Sequence, residues 1–198
     1  MQILDAEQLG HGSESITTTR IVVMPSTCDD LPPPARHIGR RAGRLAGVSD
    51  PGSSPDQPLD SPRDWVNEHI GRYLATGGQD GHEWNGTSCL LLTYQGAESG
   101  TWRRTALIYG RHGDALALVA SKGGAPTDPA WYRSLVAHPD ARVQVMDEVF
   151  AVRARTADAD ERAAIWPVMT AQWPAYDEYV GKAKAAGREI QVVVLERA

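Results

Sequence analysis

This 198-residue chain is poor in the features that usually announce a function. It has a single phenylalanine and two cysteines, and no apolar run near the ~20 residues that a membrane span needs. Cys28 and Cys89 lie far apart and without ligand spacing. They give neither a disulfide framework nor a zinc site, and they suit a reducing, cytoplasmic compartment. Arg40-Arg41 is followed by AGRLAGVSDPG rather than a hydrophobic region, so it does not read as a twin-arginine signal. A formal net charge of -5 argues against a general nucleic-acid binder.

The familiar catalytic and nucleotide-binding patterns are missing as well. The six histidines (His11, His37, His69, His82, His112 and His138) are scattered, with no HExxH pair. No GxSxG elbow, Walker lysine loop or strand-to-helix GxGxxG turn occurs. Cys89 sits in an apolar run and reads as an inert buried thiol rather than a nucleophile. No metal site is expected. If the chain is an enzyme, its reactive group comes from a bound cofactor.

What is present divides into a tail and a body. Residues 1–60 carry CDDLPPPARHIGRRAG and SDPGSSPDQPLDSP, with almost no periodic apolar pattern. They are expected to be a disordered or weakly structured extension, apart from a short strand over TTTRIVVM, Thr17 to Met24. Arg36, Arg40, Arg41 and Arg44 in this extension could meet an anionic surface.

The body spans residues 61–198. Ser61, Pro62 and Asp64 predict a capping-box start to a helix that ends at Gly77-Gly78. SCLLLTY, TWRRTALIYG and ALALVAS read as strands, the last two joined by a turn at RHGD. Asp128-Pro129 opens a short helix stopped by Pro139. ARVQVMD and VFAVRARTA form a hairpin across Asp147-Glu148. Asp158 and Glu161 predict a second capping box, on a helix interrupted near Pro167. A short helical piece holds Tyr176 and Tyr179, and EIQVVVLE closes the body as a strand. Six strands in hairpins with marginal helices predict an α+β chain built on an antiparallel barrel, not a doubly wound sheet.

Three stretches carry candidate chemistry. In QGAESGTWRRTAL a glycine turn precedes Arg103 and Arg104, a weak phosphate-nest pattern whose two arginines should point to opposite faces of a strand. In SKGGAPTDPAWYRSL, Ser121, Lys122, Gly123 and Gly124 bring together a hydroxyl, a cation and free backbone amides at a strand end. Trp131 lies just inside the next helix. In WPAYDEY, Trp173, Tyr176 and Tyr179 share one helical face. Such a stripe is more often core than pocket, but it could also form a lid over a flat substrate.

Taken together, LLLTYQGAESGTWRRTALIY, HGDALALVASKGGAPTDPAWYRSLVAHPDARVQV, WPAYDEYV and REIQVVVLE resemble the deazaflavin-dependent nitroreductase family. The resemblance runs from about Trp65 to Arg197. These are actinobacterial oxidoreductases with a split β-barrel fold of the FMN-binding type. The resemblance implies hydride transfer from reduced coenzyme F-420, a deazaflavin, to a quinone, nitro compound or activated enone. It also implies a cofactor site from Gly96, Ser99, Gly100, Arg103, Arg104, Thr105, Ser121, Lys122, Gly123, Gly124 and Trp131, with Arg103 the main cation at the phosphate. Trp173, Tyr176 and Tyr179 would hold the acceptor, and Ser121, Tyr176 and Tyr179 would be the catalytic hydrogen-bond donors. Two positions depart from the family pattern: Glu98 replaces a lysine in the phosphate turn, and Ser134 replaces a frequent asparagine. The readings kept beside this one are a non-catalytic binder of a deazaflavin or another planar anion, and an FMN-dependent split-barrel enzyme. The expected partners are small molecules, in a monomer or homodimer, with peripheral membrane association left open.

Overall fold

The computed structural model describes residues 53–198, and the expectations for residues 1–52 lie outside them. The elements follow in the order β1 (Leu59–Asp60), α1 (Asp64–Ala75), β2 (Glu83–Trp84), β3 (Thr87–Gln95), β4 (Trp102–His112), β5 (Ala115–Val119), α2 (Ala130–Ala137), β6 (Asp140–Val145), β7 (Glu148–Thr156), α3 (Ala159–Gln172), α4 (Ala175–Ala185) and β8 (Val192–Arg197). A single 3-10 turn, Lys122–Gly124, links β5 toward α2.

The six longer strands close on themselves. β3 pairs with β4, β4 with β5, β5 with β8, β8 with β7, β7 with β6, and β6 back with β3, every pair antiparallel. The expected six-stranded antiparallel barrel is therefore what forms. The period-2 alternation of side chains explains why several strands read as unbroken apolar runs. Leu90, Leu92, Leu116, Leu118, Val193 and Leu195 fill the barrel interior. Their neighbours Cys89, Ala117, Val119, Val192 and Val194 face outward, beneath Ile165 and Met169 of α3 and Tyr176 and Tyr179 of α4. Leu91 is covered separately by Val66, Ile70 and Tyr73 of α1.

Local signals were honoured unevenly. The Asp158–Glu161 capping box forms in full, with Glu161 N donating to Asp158 Oδ1 at 2.9 Å and Asp158 N to Glu161 Oε2 at 3.1 Å. The Ser61 box does not form. Arg63 occupies the cap position of α1 without a side-chain cap, and Ser61 Oγ accepts only a long 3.5 Å bond from Arg63 N. Pro129 is the cap residue of α2 rather than its first helical residue, which leaves Asp128 free for a different partner. Pro167 does not interrupt α3, which runs unbroken to Gln172. The backbone bond lost at the proline is local, and packing of Ile165 and Met169 into the core holds the helix on both sides of it.

The boundary between tail and body also differs from the expected one. Residues 53–60 lie on the barrel. β1 pairs in parallel with Arg103 and Arg104, on the part of β4 that β5 leaves uncovered. Trp102 N donates to Ser53 Oγ at 3.1 Å, and Asp56 is paired with Arg142.

Candidate functional site: an arginine-lined cavity beside a clamped loop

Where β1, the β3–β4 turn and α2 meet, they enclose a cavity of about 380 Å³. Its wall contains Gly96, Ser99, Arg103, Arg104, Thr105 and Trp131 from the expected cofactor set, together with Asp60, Glu98, Arg133 and Ser134. Arg103 and Arg104 both line it, although neighbours on a strand alternate. Gly100 does not line it. Its positive φ of 64° and the bond from its N to Gly96 O at 2.9 Å instead set the shape of the turn.

The turn is held from below by α2. Ser134 is buried, and its Oγ accepts from Ala97 N at 3.2 Å. The departure noted at this position thus fills a structural role. The amides of Glu98 and Ser99 donate to nothing among the described residues, so the turn presents free N–H groups as an anion nest would.

Charge in the cavity is mixed. Arg104 is already committed: Nε donates to Asp60 Oδ1 at 2.6 Å and Nη2 to Asp60 Oδ2 at 3.0 Å. The Arg103 guanidinium has no hydrogen-bond or ion-pair partner among the described residues. Arg133 donates only to a carbonyl, Asp128 O, at 2.8 Å. Glu98 is exposed on the same wall. Trp131 is 2 % exposed, yet its indole N–H finds no acceptor among the described residues. A buried donor without a partner is costly, which suits a bound ligand carrying an acceptor.

The Ser121–Gly124 segment lies outside this cavity wall and under α4. Lys122, Gly123 and Gly124 take successive positive φ values of 47°, 61° and 82°. A Cβ on Gly124 would stand 2.6 Å from Lys182 Cβ and 2.8 Å from Tyr179 O, so glycine lets α4 close against the loop. Lys122 Nζ donates to Thr127 Oγ1 at 3.0 Å. Ser121 is fully buried. Its carbonyl accepts from Arg188 Nη2 at 2.5 Å, while Arg188 also holds Ala120 O at 3.0 Å, Ala125 O at 2.7 Å and the Asp128 carboxylate at 2.9 Å. Arg188 thereby fixes the path of the chain from β5 to α2, whose first turn forms the cavity wall.

Sequence reasoning missed Arg188 and Asp60. An arginine directly after the helix-ending Gly187 gives a faint signal at best, and Asp60 fell on the wrong side of the expected tail boundary.

The two tyrosines of the aromatic stripe are core, and Trp173 is half-buried. Tyr176 and Tyr179 are 1 % and 3 % exposed, touch each other edge-on at 6.3 Å between centroids, and pack under α4 on the outer face of the barrel. Burial pushes the Tyr176 phenol well above its ordinary value near 10, so it stays protonated. Trp173 caps α3 and stacks at a tilt on Trp84, 5.9 Å between centroids. None of the three lines the cavity, and the expected lid over a substrate is in this structure a packed element.

Among the described residues no helix is long and apolar enough to cross a membrane, and no cluster of three metal-ligating side chains occurs.

Comparison with known proteins agrees with this architecture. An F420H(2)-dependent quinone reductase of Mycobacterium tuberculosis (strain ATCC 25618 / H37Rv) is 34% identical over 145 residues, covering 67% of this chain and 96% of the relative. A solved structure described as a domain-swapped dimer is 36% identical, with a TM-score of 0.52, covering 69% of this chain and 100% of its own. A profile of the F420H(2)-dependent quinone reductases matches residues 65–197, and the chain belongs to that family.

Proposed function

We propose that this chain transfers a hydride from reduced coenzyme F-420 to a quinone, and that the cavity between β1, the β3–β4 turn and α2 holds the anionic end of the deazaflavin. The observation that carries this reading is the meeting of an uncommitted arginine, Arg103, with free turn amides and the orphaned Trp131 N–H in one wall. These groups fit a ligand with a phosphate and further acceptor oxygens.

When bound, the reduced deazaflavin supplies the hydride. The protein supplies position. Arg103 and Arg133 attract the anionic end, the Glu98 and Ser99 amides orient it, and Trp131 donates to an acceptor atom. The Lys122–Gly124 backbone, locked by Arg188, sets the edge against which the ring lies. Ser121, Tyr176 and Tyr179 act here as positioning residues, because all three are buried: Ser121 through the clamped carbonyl, the tyrosines through α4. Trp173 with Trp84 offers aromatic surface for a flat acceptor. The dimeric relative makes a homodimer the expected assembly of this chain.

The test is a fluorescence titration of oxidised coenzyme F-420, with FMN alongside, followed by quinone-dependent oxidation of the reduced cofactor. Tight deazaflavin binding with turnover supports the reading. Binding without oxidation of the reduced form makes the chain a carrier. Preference for FMN makes it a flavin enzyme of the same barrel type.

A further inference from the structure

Three arginines line the anion cavity, and each stands in a different setting. Arg104 is engaged by a strap, residues 53–61, that lies on the barrel. Ser53 Oγ accepts from Trp102 N, Asp56 pairs with Arg142, and Ser61 O accepts from Asn67 Nδ2 at 3.3 Å. Between these ties the strap lays Asp60 against Arg104 in a two-point contact. Arg103 is half-buried on β4. Arg133 is exposed on α2 and has no carboxylate partner among the described residues, because its bond to Asp128 O engages a carbonyl. The contact of Ser134 Oγ with Ala97 N joins α2 to the β3–β4 turn. Arg133 precedes Ser134 and Glu98 follows Ala97, so both exposed side chains flank this tie on the cavity wall. The two arginines free of carboxylates therefore come from two elements and two depths, one half-buried and one at the rim.

We infer that Arg133 reads a carboxylate tail on the ligand, so that affinity depends on the tail beyond the phosphate. The inference rests on the cofactor reading proposed above and deepens it. Coenzyme F-420 carries a phosphate followed by a chain of glutamates, and such an end needs more than one cation. Arg103 and the free Glu98 and Ser99 amides match one phosphate, the inner group. The glutamate carboxylates follow it toward solvent, where Arg133 stands. The turn cannot serve them, since Glu98 sets a like charge there. Arg104, neutralised by Asp60, offers N–H groups without net charge. Arg133 is thus the cation that meets the tail, and it also offsets Glu98.

The probes are coenzyme F-420 with its glutamate tail and the same deazaflavin ending at the phospholactyl group, both titrated by fluorescence into the full chain. Arg133→Ala should weaken the tailed form about fivefold at low salt, the size of one exposed charge contact, and the tail-less form by less than about twofold. Arg133→Lys keeps the charge and should restore most of the difference, which a purely steric role would not allow. Arg103→Ala should weaken both forms alike. Circular dichroism confirms the fold of each variant. Equal loss of both forms in Arg133→Ala, no loss of either, no rescue by lysine, or an Arg103→Ala effect confined to the tailed form would overturn the assignment. If neither deazaflavin binds any of the proteins, the cofactor reading falls, and inorganic tripolyphosphate against orthophosphate tests the rim cation by itself. A wild-type preference for tripolyphosphate that Arg133→Ala removes keeps Arg133 as the second anion contact. A preference that survives the change, or is absent from the wild type, overturns it.

Discussion

The Arg188 guanidinium and the Ser121 carbonyl lie 2.5 Å apart, and around that contact one buried cation satisfies three carbonyls and a carboxylate at once. The Arg188 side chain is only 8% exposed. Its removal leaves the carbonyls of Ala120, Ser121 and Ala125 without this donor and Asp128 without its counter-charge. Arg188→Gln is expected to cost about 2–4 kcal/mol of stability, measured from urea unfolding. A loss below about 1 kcal/mol would show that the loop holds its shape without the clamp.

Arg103 makes a different kind of prediction, because it has no partner to lose. Arg103→Ala should leave stability within about 0.5 kcal/mol. It should weaken deazaflavin binding about tenfold at low salt, with the difference shrinking as salt is raised. Titrations at two ionic strengths test both parts. A salt-independent loss would mean that the arginine shapes the cavity rather than supplying charge to it.

Gly124→Ala puts a methyl group between Lys182 and the backbone of α4 at a φ of 82°. The clash and the backbone strain together should cost about 2–4 kcal/mol. Gly113→Ala is the control: it also has positive φ, at 58°, but meets nothing within 4 Å. It should cost about 1 kcal/mol. Thermal denaturation of the two variants should separate them clearly, and equal shifts would refute the close packing of α4 on the loop.

Acid sensitivity should be traceable to the start of α3. The Arg155 guanidinium beside Glu161, helped by the Asp158 backbone, holds the Glu161 carboxyl down to about 2 from an ordinary 4.5. A depressed folded-state value means that this contribution is complete above about 4.5 and is lost as pH falls toward 2. Glu161→Gln should therefore lie below wild type in stability at neutral pH and converge with it across that window. Parallel unfolding curves of the two proteins down to pH 2 would exclude the linkage.

Where sequence and structure agree, the signal was local. The turn at Gly113-Asp114 and the Asp158 capping box need only a few adjacent residues, and the alternation in β6 and β7 needs only one hairpin. Where they part, a distant partner decides. Asp128 was read as a helix cap, but Arg188, 60 positions away, claims its carboxylate. Ser61 had the right neighbours for a capping box, but the chain there was already committed to the strap. Tyr176 and Tyr179 looked like a pocket stripe because spacing shows which residues share a face and not what that face meets. The arginine pair was legible as an anion site. That Asp60 halves its free charge was not, since proline and glycine around the strap hid a two-residue strand.

The pairing order of the barrel bears on how the protein is made as well as on what it does. β8 zips onto both β5 and β7, and the chain between β5 and β8 contains three helices and a hairpin. Closure therefore joins segments far apart along the polypeptide. Such high contact order favours a slow search, on the order of milliseconds to seconds, ahead of a cooperative finish. Until β8 docks and α3 and α4 settle over it and β5, the outer faces of Ala117, Val119, Val192 and Val194 are bare, and Arg188 has no loop to grip. The nascent protein thus passes through a sticky, ligand-incompetent stage, and binding ability and solubility are expected to be acquired in the same step.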